Sequence, residues 1–279
     1  MMLDVLLDAV LDSLKVFLWA YLIYFILSFF EHKLIYFFVR NKKVGPIFAA
    51  SSGLIPQCGI SVVAADLFHK KVISFGTILT VFFVCSDEAL PILLTQPDKY
   101  LYILYLLIIK FILGIMLGYL IDYLLVKNEV NEEIQEMNLT CCKHHNTKLE
   151  RHLIHPLIHA SKILLYVFIV NIIFGFIIYF LGEDKVLEFL KSNFYLAPIL
   201  TAIIGLIPNC ASSVLMTELF INNGIAFGAL ITGLCVNAGL GIVYLLKFKE
   251  EHLNVLKIVV ILLTYSILVG YLTMLMFDL

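Results

Sequence analysis

The chain has 279 residues, of which 62% are hydrophobic and 14% are charged, and its mean hydropathy is +1.00. A soluble globular protein carries about 45–50% apolar and about 25% charged residues, so these values exclude a soluble domain and predict an all-α protein that crosses a membrane several times. The formal net charge of -2 gives no reason to expect a nucleic-acid partner.

A helix needs about 20 mostly apolar residues to cross a hydrocarbon core of about 30 Å. Two apolar runs, 45–68 and 195–220, carry Gly-x-x-Pro near the middle, and we therefore expect each of them to be broken. The other runs are each predicted to cross the membrane once, and they cover residues 14–38, 72–94, 100–126, 160–181, 225–246 and 255–277.

The chain contains an internal repeat. Residues 53–94 align with residues 205–246 at a constant separation of 152, and 16 of the 42 positions are identical without a gap. The identical positions include Pro, Cys and Gly. These residue types would not coincide merely because both stretches are apolar. The repeat predicts an N-terminal transmembrane half, 1–127, and a C-terminal transmembrane half, 156–279, joined by a Cys/His-rich linker, 128–155.

The basic residues distinguish two topologies for the broken runs. If 45–68 and 195–220 each enter the membrane and return, thirteen Lys and Arg lie in the loops on one side and three on the other. The positive-inside rule expects such an excess on the cytosolic face. The count favours two inverted repeats in the cytoplasmic (inner) membrane, each with three full crossings plus a re-entrant hairpin. This gives about ten helical segments with the linker in the cytosol. Single kinked crossings remain the alternative.

Each broken run contains Gly-Leu-Ile-Pro followed by an amide and a cysteine. Proline is favoured at the first position of a helix, so we expect the returning half-helices to begin at Pro56 and Pro208. The cysteine would then lie at the positive end of a helix, where the thiolate is favoured, and two thiolates would suit a soft metal. A simple kink with a buried cysteine is the alternative. The predicted helix breakers are Gly53, Pro56, Gly205 and Pro208, and the predicted metal ligands are Gln57, Cys58, Asn209 and Cys210.

Ionisable side chains also occur within the apolar runs. Asp87 and Glu88 precede Pro91 in the run 72–94, and carboxylates at that depth are costly and usually functional. They could bind a cation, carry protons in exchange for it, or do both. The alternative is that the helix ends early and that both carboxylates face water. Lys110 lies in the middle of its run, so we expect it to pair with Asp87 or Glu88.

The second half lacks an equivalent acidic pair. Asn237 aligns with Cys85, so an amide would replace the acidic chemistry there, and we include Asn237 among the candidate metal ligands. Asp66 and Glu218 align with each other near the ends of the two broken runs. They are either vestibule residues or solvated helix ends, and we favour the second interpretation. The predicted site is therefore chemically asymmetric.

The linker and the residues that follow it are rich in soft ligands. Their spacing does not form a closed zinc-finger pattern, so we interpret them as a loose metal-capture loop, with a flexible tether of chance His content as the alternative. The residues are Cys141, Cys142, His144, His145, His152, His155 and His159.

These features together resemble a known family. The paired Gly-Leu-Ile-Pro-x-Cys motifs, the run Cys-Ser-Asp-Glu-Ala-Leu-Pro at 85–91 and the Cys/His-rich loop are similar to the ten-helix heavy-metal exporters, also labelled manganese transporters or arsenic efflux proteins, distant relatives of ArsP-type permeases. The resemblance covers essentially the whole chain and implies efflux of a metal or metalloid. Carried over by position, it assigns the motif roles to Pro56, Gln57, Cys58, Asp87, Glu88, Pro208, Asn209 and Cys210.

We therefore expect a secondary-active transporter that exports a transition-metal or heavy-metal ion bound at the midplane between the two hairpin tips. The metal is the substrate and no cofactor is expected; the partners are membrane lipid and the ion, and two copies could form a homodimer. Thiol and imidazole ligands favour zinc or copper(I), whereas carboxylate and amide oxygens suit manganese. The first alternative is a transporter of an oxyanion or organic anion held at the half-helix N-termini. A membrane metal sensor or scaffold is the second.

The chain has no Walker motif, His-Glu-x-x-His or Gly-x-Ser-x-Gly, so it is not expected to be an enzyme.

Overall fold

The fold is taken from a computed structural model of the chain. The structure describes residues 44–54, 58–85, 89–126, 194–208 and 210–277, together with the single residues 10, 14, 17, 18, 21, 157, 161 and 168. The expected crossings 14–38 and 160–181, and the linker 128–155, lie outside the described residues or contribute only single positions.

The first half forms short and long helices in sequence. Helices α1 and α3 have clear starting signals: Pro46 lies in the first turn of α1, and the Ser74 hydroxyl accepts a hydrogen bond from the Thr77 N–H at the start of α3, 3.1 Å. The helices are α1 (Gly45–Gly53), α2 (Cys58–His69), α3 (Phe75–Val84), α4 (Ala89–Leu94) and α5 (Tyr100–Val126), and a 3-10 turn (Pro97–Lys99) precedes α5.

The second half repeats this order. Its helices begin 152 residues after their counterparts, except that α9 begins one residue earlier. They are α6 (Ala197–Gly205), α7 (Cys210–Ile221), α8 (Phe227–Val236), α9 (Leu240–Leu246) and α10 (His252–Phe277), with 3-10 turns at Phe194–Leu196 and Lys249–Glu251. The repeat in the sequence is thus also a repeat of helices and of the breaks between them.

The described helices confirm a multi-pass helical membrane protein. Within the described residues, four segments are long and apolar enough to cross a membrane: Phe75–Leu94, Pro97–Leu124, Phe227–Leu246 and Lys249–Phe277. The first and third are largely buried by protein (80% and 89%), whereas only 33% and 39% of the other two is buried. The broken segments therefore form the interior, and α5 and α10 surround them with surface for lipid.

The segments 72–94 and 225–246, each expected to cross the membrane once, are long and apolar enough to do so, but neither is one continuous helix. Helix α3 stops at Val84, and Cys85 follows with an extended ψ of 131°. Helix α8 stops at Val236, and Gly239 before α9 has a φ of 60°, a conformation that residues other than glycine rarely adopt. Each half thus contains two broken segments.

Contacts at the ends of the α1–α2 segment show how it lies. Gly45 packs against Thr77 near the start of α3, and Gly53 packs against Val84 at the end of α3. Helix α2 then returns, because the ring of Phe68 meets that of Phe75 at the start of α3, with centroids 5.9 Å apart. Both ends of this segment are therefore level with the start of α3.

The α6–α7 segment has the same arrangement in the second half. The Thr201 hydroxyl donates a hydrogen bond to the Ala229 carbonyl in the first turn of α8, 2.8 Å, and Gly205 packs against Gly233 near the end of α8. The ring of Phe220, near the end of α7, lies 5.7 Å from that of Phe227 at the start of α8. Each segment forms a V that opens toward the start of the next helix.

The two longest helices run antiparallel. The Tyr105 ring near the start of α5 lies 4.9 Å from the Phe277 ring at the end of α10. At their middles, the Tyr265 hydroxyl donates a hydrogen bond to the Leu113 carbonyl, 3.2 Å. Helix α3 starts beside the end of α5, where the Gly76 N–H donates to Asp122, 2.8 Å. The two V-shaped segments therefore open toward opposite ends of the molecule.

Candidate substrate site between the broken helices

Helix breaks of both halves lie against each other in the interior. Gly241, two residues beyond the break in the second half, packs against the backbone of Ser61 and the ring of Phe82 in the first half, and a Cβ at Gly241 would be 2.5 Å from both. Because every substituent there would collide with protein, the absence of a side chain lets α9 approach α2 and α3 closely. The interior is therefore formed in part by backbone groups, such as those of Gly241 and Ser61, and not by side chains alone.

Lys110 lies at this junction and is fully buried, with an exposed fraction of 0%. Its ammonium donates hydrogen bonds to the Cys85 carbonyl, 2.7 Å, and to the Leu234 carbonyl, 3.0 Å. The first acceptor belongs to the break after α3 and the second to the last turn of α8. The expected pairing of Lys110 with Asp87 or Glu88 stays a prediction, since residues 86–88 lie outside the described residues.

Among the predicted metal ligands between the two halves, Asn237 is the one whose side chain the structure describes. It is 4% exposed, and its amide donates to the Ser212 hydroxyl, 3.3 Å, while its oxygen accepts from the Gly239 N–H, 3.0 Å. Ser212 in turn donates to the Ile207 carbonyl at the α6–α7 turn, 3.1 Å. Asn237 therefore connects the α8 break to the hairpin turn. Ser212 was not foreseen from the sequence, although Ser212-Ser213 begins only two residues after Cys210.

The hairpin turns contain most of the predicted ligands. Helix α1 ends at Gly53 and α6 at Gly205, as expected for the breakers. Pro208 follows α6 and is half-buried, but helix α7 begins only at Cys210, and α2 begins at Cys58. Pro208 therefore precedes α7 instead of starting it, whereas the prediction for Pro56 falls outside the described residues. Each cysteine backbone lies at the first position of its helix.

The remaining ligand predictions are not tested. The side chains of Cys58 and Cys210 lie outside the described residues, as do Pro56, Gln57, Asp87, Glu88 and Asn209. The metal-capture loop lies there too, with Cys141, Cys142, His144, His145, His152, His155 and His159. Within the residues that the structure does describe, no three His, Cys, Asp or Glu side chains are grouped to hold one metal ion.

Asp66 is not the solvated helix end that the sequence analysis expected. It is 3% exposed, its Oδ1 accepts from the Tyr244 hydroxyl, 2.9 Å, and its Oδ2 lies 2.8 Å from the Lys70 ammonium. Its counterpart Glu218 is exposed, in agreement with the expectation. The i, i+4 spacing of Asp66 and Lys70 was a usable signal for the ion pair, whereas Tyr244 is too distant in sequence to be foreseen.

A second polar contact joins the halves at the same end of the molecule. His69 Nδ1 lies 3.3 Å from Glu251 Oε1, and the His69 ring stacks on Phe248 with centroids 3.7 Å apart. The loop after α2 and the loop before α10 are therefore neighbours. At the opposite end, Lys99 donates to Asn223, 3.1 Å, and its ammonium lies 4.7 Å from the Phe220 ring centroid.

These observations define a multi-pass helical membrane protein whose interior is formed by two repeated sets of broken helices. A family model described as "Putative, 10TM heavy-metal exporter" (ArsP_2) matches residues 1–171. The chain belongs to this family. The match includes the first hairpin motif and the break at Cys85, and it confirms the resemblance drawn from the motifs. No curated protein and no solved structure matches the chain.

Proposed function

We propose that the chain is a secondary-active exporter of a transition-metal or heavy-metal ion, and that the ion binds between the two hairpin turns. The family supports the substrate class. The observation that carries the site is the pair of equivalent turns, each followed by a helix whose first residue is a cysteine, Cys58 or Cys210. Paired broken segments in repeated halves are the usual location of a transporter's substrate site.

The chemistry follows from the two turns. A thiolate at a helix start is stabilised by the positive end of the helix dipole, and soft thiolate ligands select zinc, cadmium, copper(I) or arsenite. Gln57 and Asn209 add amide oxygens from equivalent positions. Asp87 and Glu88 contribute carboxylates that accept protons when the metal leaves, which couples export to the proton gradient.

The direction of export depends on the orientation in the membrane. The antiparallel α5 and α10 and the opposed hairpins support inverted halves, and the excess of basic residues supports a linker on the cytosolic side of the inner membrane. The Cys/His loop then collects the metal in the cytosol. Rocking of one half against the other exposes the turns first to the cytosol and then to the outside.

Everted membrane vesicles test this proposal directly. Vesicles with the wild-type chain should accumulate one or more of zinc, cadmium, copper(I), arsenite and manganese, and accumulation should fall when the pH gradient is collapsed. Replacing both Cys58 and Cys210 by Ser should abolish accumulation of the soft ions. A matched variant with Cys141 and Cys142 replaced by Ser should retain flux, because the capture loop only supplies the ion. Undiminished transport by the Cys58/Cys210 variant would contradict the thiolate site.

A second candidate substrate is an anion. The buried ammonium of Lys110 favours it, since a cation at the junction of the breaks and two helix starts together attract negative charge. Vesicle accumulation of arsenate or an organic acid that survives the double Cys→Ser replacement would favour this function. The same vesicles therefore decide between the two.

A further inference from the structure

Lys110 occupies a position where a charged side chain is costly. Its ammonium is completely buried, and an ionised group in the interior of a membrane protein persists only where polar groups surround it. Two of the surrounding groups are backbone carbonyls at 2.7 Å and 3.0 Å. Neither carbonyl is in the middle of a helix, and this placement explains why both are available.

Both acceptors lie at the C-terminal ends of broken helices. The last four carbonyls of a helix lack an intrahelical partner and carry partial negative charge. Leu234 lies in the last turn of α8, and Cys85 immediately follows α3. The two helices occupy equivalent positions in the two halves, so each half brings a negative helix end to the same ammonium.

The first repeat supplies an ammonium at this position, and the second repeat does not. The residue equivalent to Lys110 in the second half, 152 positions later, is Leu262, which is also fully buried. Lys110 and Cys85 belong to the first half, whereas Leu234 belongs to the second. The hydrogen bond from Lys110 to Leu234 therefore crosses between the halves and connects their breaks.

We propose that the Lys110 ammonium is a tethered cation that fills a carbonyl site between the two repeats, in the place where opposed helix C-termini would otherwise bind a free monovalent cation. The site has the chemistry of a primary ammonium site, because carbonyl oxygens from two helix ends lie at hydrogen-bonding distance from the ammonium. Lys110 is thus the occupant of this position and not a ligand for the exported ion. The inference is independent of the proposed function, because it concerns how the halves are held together.

The replacement Lys110→Ala removes three methylene groups and the ammonium, the same set of atoms that n-propylammonium contains. In purified full-length protein, Lys110→Ala should lower the melting temperature, and n-propylammonium chloride should recover roughly half or more of the loss by binding in the vacated site. Tetramethylammonium chloride at the same concentration should have no effect, because it has no N–H donor.

Leu262→Ala is the matched control, since it opens a cavity at the equivalent buried position without removing an ammonium. n-Propylammonium should leave the melting temperatures of this variant and of the wild type unchanged. Recovery limited to Lys110→Ala supports the proposal. An absence of recovery in Lys110→Ala, or equal recovery in Leu262→Ala, overturns it.

If Lys110→Ala does not yield folded protein, Lys110→Met keeps most of the volume and removes only the donors. Hydrogen–deuterium exchange should then be faster in residues 85–94 of the first half and in residues 234–246 of the second half. Faster exchange in both halves supports a cation shared between them. Unchanged exchange in either half overturns the proposal. Neither readout depends on transport, so a failure of metal export in vesicles leaves this test intact.

Discussion

The Tyr265 hydroxyl donates a hydrogen bond to the Leu113 carbonyl across 3.2 Å, and the two residues occupy equivalent positions in the two repeats, 152 residues apart. A residue that contacts its own counterpart lies near the axis that relates the halves. Here the contact joins the middles of the antiparallel helices α5 and α10. One hydrogen bond therefore joins equivalent positions of the two repeats directly.

Replacing Tyr265 by Phe should lower the free energy of unfolding by about 0.5–1.5 kcal/mol, the usual net contribution of one hydrogen bond. The ring would remain in place against Phe83, whose centroid lies 5.3 Å away, so the packing loss should be small. Unfolding in mixed micelles of increasing SDS fraction measures the difference. Tyr123→Phe, at a tyrosine that is 74% exposed, is the control and should not change stability. An equal loss in both variants would show that the Tyr265 hydrogen bond does not hold α5 and α10 together.

The repeat could be predicted from the sequence because the identical positions include glycines that the packing requires. Gly53 and Gly205 end equivalent helices, and Gly76 and Gly228 allow equivalent close contacts with the backbones of α5 and α10. A separation of 152 residues therefore fixed the register of every described helix to within one residue. The broken nature of the Gly-x-x-Pro runs followed from the prolines.

The second pair of breaks could not be predicted in the same way. The segments 75–94 and 227–246 are apolar throughout most of their length, and hydropathy does not distinguish a continuous helix from two half-helices with a short extended link. Proline is absent from residues 237–239, and Gly239 was the only backbone signal. The two carbonyl contacts of Lys110 could not be foreseen for a related reason, because backbone carbonyls leave no trace in the sequence.

Asp66 shows the limit of interpretation from a single helix. It lies near the C-terminal end of α2, next to charged residues, and such positions are usually solvated. Its burial results from α9 of the other half, which brings Tyr244 to the carboxylate although the two residues are 178 positions apart. Only the packing of the repeats against each other determines that one member of the Asp66/Glu218 pair is buried and the other exposed.

Replacing Asp66 by Asn should lower the free energy of unfolding by about 1–3 kcal/mol, because the amide loses the ion pair with Lys70 and places an N–H₂ group where an acceptor is needed. The ion pair contributes little of this loss, because the Lys70 side chain is 30% exposed and can be hydrated. The measurement is again SDS-induced unfolding of the purified protein.

The equivalent residue in the second half provides the control for Asp66. Glu218 is exposed, and Glu218→Gln should change stability by no more than about 0.5 kcal/mol. Tyr244→Phe should reproduce part of the Asp66→Asn loss, and the double variant should lose less than the sum, since both changes remove the same hydrogen bond. Additive losses would mean that Tyr244 and Asp66 stabilise the halves separately.

Gly53 and Gly205 occupy equivalent positions in the two hairpins, but the space available for a side chain differs between them. A Cβ on Gly205 would collide with the carbonyl oxygen of Gly233, a backbone atom that cannot move without shifting α8. A Cβ on Gly53 would lie 3.2 Å from Val84 Cβ and 3.3 Å from the Val81 carbonyl oxygen, a tight contact that small adjustments can relieve. We therefore expect Gly205→Ala to cost about 1–3 kcal/mol, as for overpacking in a core, and Gly53→Ala to cost clearly less.

Gly205→Ala and Gly53→Ala should also differ in transport, because Gly205 ends the helix that leads into the second hairpin turn. Displacement of α6 from α8 should move the turn that precedes Cys210, so Gly205→Ala should reduce metal accumulation in everted vesicles even at a temperature where the protein remains folded. Gly53→Ala should retain more activity under the same conditions. Equal stability and equal flux in the two variants would show that the close packing of Gly205 against Gly233 neither supports the fold nor positions the turn.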